Sequence, residues 1–361
     1  MENLLVSFGS VMQTVGSVAL AIIVLLVMIT VHEFGHYTAG KIFGFGINEF
    51  AIGFGPALYK RTAKNGEVFS VRCLPLGGFC SFKGEDEDDP DPTAFNNKKP
   101  WQRIIVLVSG ALMNYVLALV IIMLMFGAYG QSSYYVKKLD DSIPTISSEY
   151  TFLEGDTIVQ VNGRRIYLAT DLMKAIKGYE VGDTVDVKVL RDGKKQDIKV
   201  ELRTNGEFEN IEDTNTLLVA LGVNSLYSRN VRYGFFETIE HSFEYSMRVA
   251  GTIITVLGEL LTGKLALTSV GGTVTTVSMT AEAVRTGGLN YLLVIASYIG
   301  VNLAVFNLLP IPALDGSRVV FTAIEWIRRK PLNRKVEGII HLAGLILLMG
   351  FAILVDLLQL L

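Results

Sequence analysis

The sequence is short of charge, and its few basic residues are unevenly placed. Of 361 residues, 19% are charged and 50% hydrophobic, against about a quarter charged in an ordinary soluble domain. Mean hydropathy is +0.41. The stretches 3–31, 104–136, 286–314 and 338–355 contain no Asp, Glu, Lys or Arg. Each reaches or exceeds the roughly 18 residues that cross a hydrocarbon core, which excludes a soluble globular or a disordered chain. Cysteine is nearly absent: Cys73 and Cys80 form no CxxC and have no second pair, so neither a disulfide scaffold nor a cysteine zinc site is available. Net charge is −3 and the pI is near 5.9, which leaves no basic face for nucleic acid. Residues 1–32 hold no Lys or Arg, so the first run lacks the basic start of a cleaved signal peptide and reads as a retained span.

The basic residues that are present set an orientation. Lys41, Lys60, Arg61, Lys64, Arg72, Lys83, Lys98 and Lys99 follow the first run, and Arg318, Arg328, Arg329, Lys330, Arg334 and Lys335 follow the third. Both groups belong inside, so four spans place both termini and the long 137–285 loop outside. The expected division is a first span (1–36), an inner loop (37–102), a second span (103–130), an outer domain (131–204), an outer segment (205–285), a third span (286–316), a basic inner loop (317–337) and a fourth span (338–358). Within the outer domain, Asp156-Thr-Ile-Val-Gln-Val-Asn-Gly163 alternates into an Asn-Gly turn, 170–177 reads as a short helix, and 184–190 with 196–202 form a hairpin around Arg191-Asp-Gly193. That is a small mixed α/β domain, or a passive spacer. The stretch 235–261 is apolar but carries Glu237, Glu240, Glu244, Arg248 and Glu259, and reads as an amphipathic helix at the outer interface. The acidic run Glu85-Asp-Glu-Asp-Asp-Pro-Asp-Pro92 lacks EF-hand spacing and reads as a solvated turn.

Chemistry concentrates at Val31-His-Glu-Phe-Gly-His-Tyr37, at the inner end of the first span. A helical spacing of four places His32 and His36 on one face, about 40° apart. This is HExxH, in which two neutral imidazoles bind zinc and the glutamate acts as general base on a water. A glutamate on a membrane helix costs about 2.5–3.5 kcal/mol, which demands a partner or a task. Capping the helix at the headgroup boundary, or relaying protons, would also use these residues. A tetrahedral zinc needs one more protein ligand. His241 lies outside and His341 falls in the fourth span. Asp315, in Asn307-Leu-Leu-Pro-Ile-Pro-Ala-Leu-Asp-Gly-Ser-Arg318, reaches the same depth as the histidines, after two prolines that break the helix.

These motifs, with Gly53-Phe-Gly-Pro56, Leu74-Pro-Leu-Gly-Gly-Phe79 and Ser109-Gly-Ala-Leu-Met-Asn114, resemble the site-2 protease family of intramembrane zinc metalloproteases, and within it the RseP-like bacterial branch. The resemblance implies an α-helical polytopic membrane protein of four transmembrane helices with an inserted extracytoplasmic PDZ-like α/β domain, in a bacterial inner membrane. It assigns zinc to His32, His36 and Asp315 and the general base to Glu33. It gives Asn307 a role toward substrate or its developing oxyanion, and marks Asn114 as a polar position of the second span. It makes 48–56, with Phe50, Gly53 and Gly55, a membrane-associated β-element that pairs with an unwound substrate strand. The implied partners are the lipid bilayer and single-span membrane proteins, an anti-sigma factor or a signal-peptide remnant, already cut once by another protease. The chain departs from the family pattern in having one PDZ-like domain where some relatives have two, in Ile143-Pro-Thr-Ile-Ser-Ser-Glu-Tyr150 leading into it, in Gly271-Gly272 for Gly-Pro, and in Ser317 for Gly.

Two other classes compete. A membrane scaffold that binds peptide ends would leave the HExxH residues and Asp315 without a task. A proton- or metal-coupled transporter would use the intramembrane ionisable groups, but the inverted or parallel repeats common in transporters are not visible here.

Overall fold

The computed structural model describes residues 2–140 apart from 86 and 88, 151–266 apart from 207, 209 and 212, and 272–360. The 143–150 lead-in, Gly271 and two residues of the acidic run, Asp86 and Asp88, therefore lie outside the described residues. The chain divides into two compact units, one of residues 1–123 with 249–361 and one of residues 124–248.

The first unit holds the apolar helices. α1 (Glu2–Ile42), α2 (Pro100–Tyr129), α6 (Thr273–Asn307) and α8 (Arg334–Leu360) contain candidate spans at Val15–Ile42, Pro100–Tyr129, Gly287–Asn307 and Arg334–Gln359. α6 leaves helical geometry at Gly288 (φ 63), one residue after its candidate span begins at Gly287. The expected third span, 286–316, is too long. α6 stops at Asn307 because Pro310 and Pro312 lack the N–H that a further turn needs. Asp315 opens a separate helix, α7 (Asp315–Arg328), which ends at a left-handed Arg329 (φ 53). The basic segment 317–337 is thus largely helical rather than a plain loop. The first helix likewise continues through Ile42, past the expected end at 36.

Between α1 and α2 run two long strands, β1 (Ile47–Thr62) and β2 (Val68–Phe82). Gly53 (φ 87), Gly55 (φ 83) and Gly77 (φ 134) adopt backbone angles that residues with a Cβ rarely reach, and they fold each strand into two lanes. Residues 57–62 pair antiparallel with 68–72, and 47–52 pair antiparallel with 78–82. Glu49 also pairs with Val68, Phe50 with Phe69, Ala51 with Ser70 and Ile52 with Val71, a register in which both numbers rise together. The lane order is therefore 57–62, 68–72, 47–52, 78–82. Residues 47–52 are flanked on both sides, and the outer lanes are 57–62 and 78–82.

The second unit is a sheet of order β7-β6-β4-β3-β8 with β5 attached to β4. Its strands are β3 (Gln131–Leu139), β4 (Thr157–Val161), β5 (Arg164–Arg165), β6 (Thr184–Arg191), β7 (Lys194–Glu201) and β8 (Val223–Val231), with α3 (Ala169–Ile176) and α4 (Thr214–Ala220). The expected strand, helix and hairpin at 156–202 are all present. The alternation of β6 turns Val185, Val187 and Val189 into a core with Phe152, Ile158, Val161, Leu172, Val200 and Leu217. The sheet does not close at residue 204, however, since β8 pairs with β3 from Gln131↔Val231 to Leu139↔Val223. α5 (Phe235–Leu261) has the expected bounds.

Candidate metal centre

α1 delivers His32, Glu33 and His36. α2 approaches closely enough that a Cβ on Gly110 would lie 2.4 Å from His36 Nε2 and 2.8 Å from His32 Cε1, so glycine there makes room for both imidazoles. The turn after α6 brings Asp315 from the far end of the sequence. His32 Nε2 and His36 Nε2 are 3.1 Å apart, and Asp315 Oδ2 lies 3.0 Å from the first and 3.3 Å from the second. Among the described residues this is the group of histidine, cysteine and acidic side chains whose donor atoms converge closely enough to hold a metal ion.

The hydrogen bonds around the ring atoms show what converges. His36 Nδ1 lies 2.8 Å from Val106 O. A carbonyl only accepts, so Nδ1 carries the proton and Nε2 presents a lone pair. His32 Nδ1 lies 3.4 Å from the Asn114 amide nitrogen, while Asn114 Oδ1, fully buried, finds no donor. Turning that amide over, an assignment the hydrogen-bond pattern decides, lets Oδ1 accept from Nδ1–H and leaves Nε2 of His32 bare as well. Asp315 Oδ2 is also buried without a donor. Three lone pairs thus face one another inside the protein, a costly arrangement unless a cation lies among them. Tetrahedral zinc with bonds of about 2.0–2.1 Å sets its ligands about 3.3 Å apart, so this donor set fits.

Glu33 is held beside this cluster by the backbone of β2, where Cys80 N–H donates to its Oε2 at 2.9 Å. The Cys80 thiol is pushed well above its ordinary pKa by burial and by the Glu33 carboxylate, which leaves it protonated and chemically quiet. A cavity of about 350 Å³ runs along 79–82, with His32, Glu33, His36, Asp315 and Arg318 in its lining. Asn307 and Asn114 line a smaller one of about 260 Å³ with His32, Glu33 and Asp315, so the structure brings both asparagines to the site. Phe50 instead packs edge-on against Tyr37 at 5.5 Å and beside Phe69 at 6.3 Å, and Gly53 and Gly55 form the bend of β1.

Two residues that sequence reasoning did not use belong to the surroundings. His341 of α8 accepts the Ala313 N–H on Nδ1 at 3.1 Å, bracing a left-handed Ala313 (φ 79) two residues before Asp315. Its signal was a histidine inside an otherwise uncharged apolar run. Glu325 of α7 is ion-paired with Arg103 of α2 at 2.6 Å and Arg334 of α8 at 3.1 Å, itself 6% exposed, and ties together the helices around Asp315.

Apolar helices that can cross a membrane, with two buried histidines, a half-buried aspartate and an adjacent glutamate, define a membrane metalloenzyme. Comparison with known proteins agrees. The sequence profile of Peptidase family M50 matches residues 20–351. A Clostridium perfringens protein is 32% identical over 344 residues, covering 93% of this chain and 96% of its own length. A Nostoc relative is 30% identical over 365 residues, covering 93% and 94%. One from Brucella suis is 28% identical over 374 residues, covering 97% and 96%. All three carry the name "Putative zinc metalloprotease". The chain belongs to Peptidase family M50, the site-2 protease family, and is a zinc metalloprotease of the membrane.

Proposed function

We propose that the protein hydrolyses peptide bonds inside single-span membrane proteins, close to the inner leaflet, with His32, His36 and Asp315 as zinc ligands and Glu33 as general base. The observation that carries this reading is the convergence of three lone pairs beside a glutamate, on helices apolar enough to lie in a bilayer. Held by these three residues, zinc would supply Lewis acidity toward the scissile carbonyl and would lower the pKa of a water toward neutrality. Glu33, fixed by the Cys80 amide, takes the proton of the attacking water and hands it to the leaving amine nitrogen. Asn307 is placed to contact the substrate or the oxygen on which charge develops. Asn114 is assigned to His32 rather than to substrate: its amide oxygen fixes the ring so that Nε2 faces the metal.

A transmembrane helix hides its peptide bonds, so the substrate must unwind, and an exposed strand edge recovers the backbone hydrogen bonds that are lost. Both sides of 47–52 are already paired. The lane that borders the metal cavity and has no further strand on its outer side is 78–82, and we assign the substrate strand to that side. Phe50, Gly53 and Gly55 then act by shaping the sheet rather than by touching substrate.

By the positive-inside rule, the 37–102 and 317–337 segments lie in the cytoplasm of a bacterial cell and the second unit lies outside. That unit's antiparallel sheet with its two short helices is read as a PDZ-like domain that bars substrates still carrying a bulky outer portion. The substrate would thus be an anti-sigma factor or a signal-peptide remnant after a first cut. The test compares wild type with Glu33→Gln on a single-span reporter without an outer domain, in reconstituted membranes, mapping the cut by mass spectrometry. Cleavage within the span by wild type alone is expected. Equal products from both proteins would remove Glu33 from the mechanism.

A further inference from the structure

The outer side of 78–82 is not vacant. Lys83 N–H donates inward to Gly46 O at 2.8 Å, so strand alternation turns the N–H groups of Cys80 and Phe82 away from β1. Both already have carboxylate acceptors. Cys80 N–H donates to Glu33, and Phe82 N–H donates to Glu85 Oε2 at 3.1 Å. Glu33 has a task in that place, and Glu85 has none so far. Its position also departs from what the acidic run suggests. Asp91 of the same run stays near water, paired with Lys83 and accepting from Thr93. The Glu85 carboxyl turns back, 15% exposed, and its other oxygen is ion-paired with Arg318, three residues beyond Asp315 on α7. Glu85 and Arg318 line both the cavity along 79–82 and a neighbouring one of about 660 Å³ that includes Glu33, Asp315 and His341.

Charged side chains at a strand edge are a common defence against unwanted pairing. Here the defended edge is the one that the proposed reaction must use. We propose that Glu85 is a gatekeeper of this edge, its carboxylate standing in for a substrate carbonyl on Phe82 N–H until a docking strand displaces it. The proposal rests on the strand-addition reading of the site. A charge-assisted hydrogen bond is about twice as strong as a neutral one, and the ion pair to Arg318 holds the carboxylate in place. A segment that remains helical has its carbonyls tied up internally and offers nothing in exchange. A segment that is already extended offers a free carbonyl. Glu85 therefore adds the same cost to every docking strand, and only substrates whose span unwinds easily near the cut, such as those with glycine, asparagine or proline there, bind well against it.

The test uses the zinc-loaded full-length protein in phospholipid vesicles with two single-span reporters, one with an uninterrupted apolar helix and one with an Asn-Gly pair beside the cut site. With Glu85→Ala, KM for the uninterrupted reporter is expected to fall about three- to tenfold, from the loss of one competing charged hydrogen bond. KM for the weakened reporter should start lower and fall by a similar factor, and kcat should change less than KM for both. Glu85→Gln keeps an acceptor but loses the ion pair, so it should fall between. If Glu85→Ala raises KM or lowers kcat for both reporters alike, Glu85 merely closes the turn after β2 and the proposal is wrong. A proline walked through the reporter tests the underlying reading in the same assay. Cleavage should fail at alternate positions if a strand is added to 78–82. Loss of that alternation sinks strand addition itself. Alternation retained, with KM unmoved by Glu85→Ala, sinks the gatekeeper alone.

Discussion

The two units bury carboxylates in opposite ways. In the sheet unit, Asp156 is fully buried and receives both Nε and Nη2 of Arg191 at 2.7 Å, with Leu153 N–H at 2.9 Å. Asp171 accepts from Leu168 and Tyr167 amides and from Arg164. In the helical unit, Asp315 faces two imidazole lone pairs and has no donor on Oδ2. A satisfied carboxylate holds a fold together. One that is left short of donors beside other lone pairs is waiting for a cation. Both carboxylates are withdrawn from water, Asp156 wholly and Asp315 in part with its Oδ2 buried, so burial alone would not have told their tasks apart. The direction in which the surrounding groups point does.

The contrast is broken most severely in the metal cluster. His36→Ala removes one of three donors and Asp315→Asn exchanges a charged oxygen for a neutral amide; zinc content by elemental analysis is expected to drop to background with activity lost, while the helical signal in circular dichroism persists. The mirror-image change is Asp156→Ala. It leaves Arg191 without its partner and is expected to destabilise the sheet unit by about 3 kcal/mol. That loss would be read by hydrogen exchange at β4 and β6, with zinc retained. Asn114 sharpens the comparison because it supports a donor without being one. Asn114→Leu should weaken zinc binding about 10–100-fold, measured by competition with a chelator, and Asn114→Asp should recover part of the loss. The smallest effect concerns pH. Burial acts to raise the pKa of Glu325, but the Leu332 N–H and the Arg103 guanidinium outweigh it and hold the carboxyl below its ordinary value. A carboxylate depressed in the folded state stabilises at neutral pH, and its contribution is lost as pH falls through the folded value. Thermal melts of the wild type should therefore fall in acid more steeply than those of Glu325→Gln.

What the sequence disclosed follows the range of the interactions. HExxH is written within five residues and needs only helical spacing, so His32, Glu33 and His36 were legible without any tertiary information. Asp315 was found by depth, from the prolines before it and the basic residues after it, although the span itself ends earlier, at Asn307. The hairpin at 184–202 was legible from alternation and its turn. The lane order of β1 and β2 was not, since it depends on how far three left-handed glycines bend the chain, and the parallel register of 49–52 with 68–71 leaves no periodic trace. β8 escaped for a similar reason: Val223-Asn-Ser-Leu-Tyr-Ser-Arg-Asn-Val231 has little apolar alternation, and its partner β3 supplies the reason it is a strand. The bond from Ala313 to His341 joins residues 28 apart in sequence across a turn, and nothing in the local pattern specifies it.

The site is divided across the length of the gene. Two of its three donors are complete once α1 has been made, but the third arrives near residue 315 and its brace at residue 341 later still. A half-synthesised chain therefore carries the histidine pair without the third member of the cluster. The order of synthesis thus sets a simple expectation: a chain halted before residue 315 should hold no zinc, and one halted before residue 341 should hold it with Asp315 unbraced.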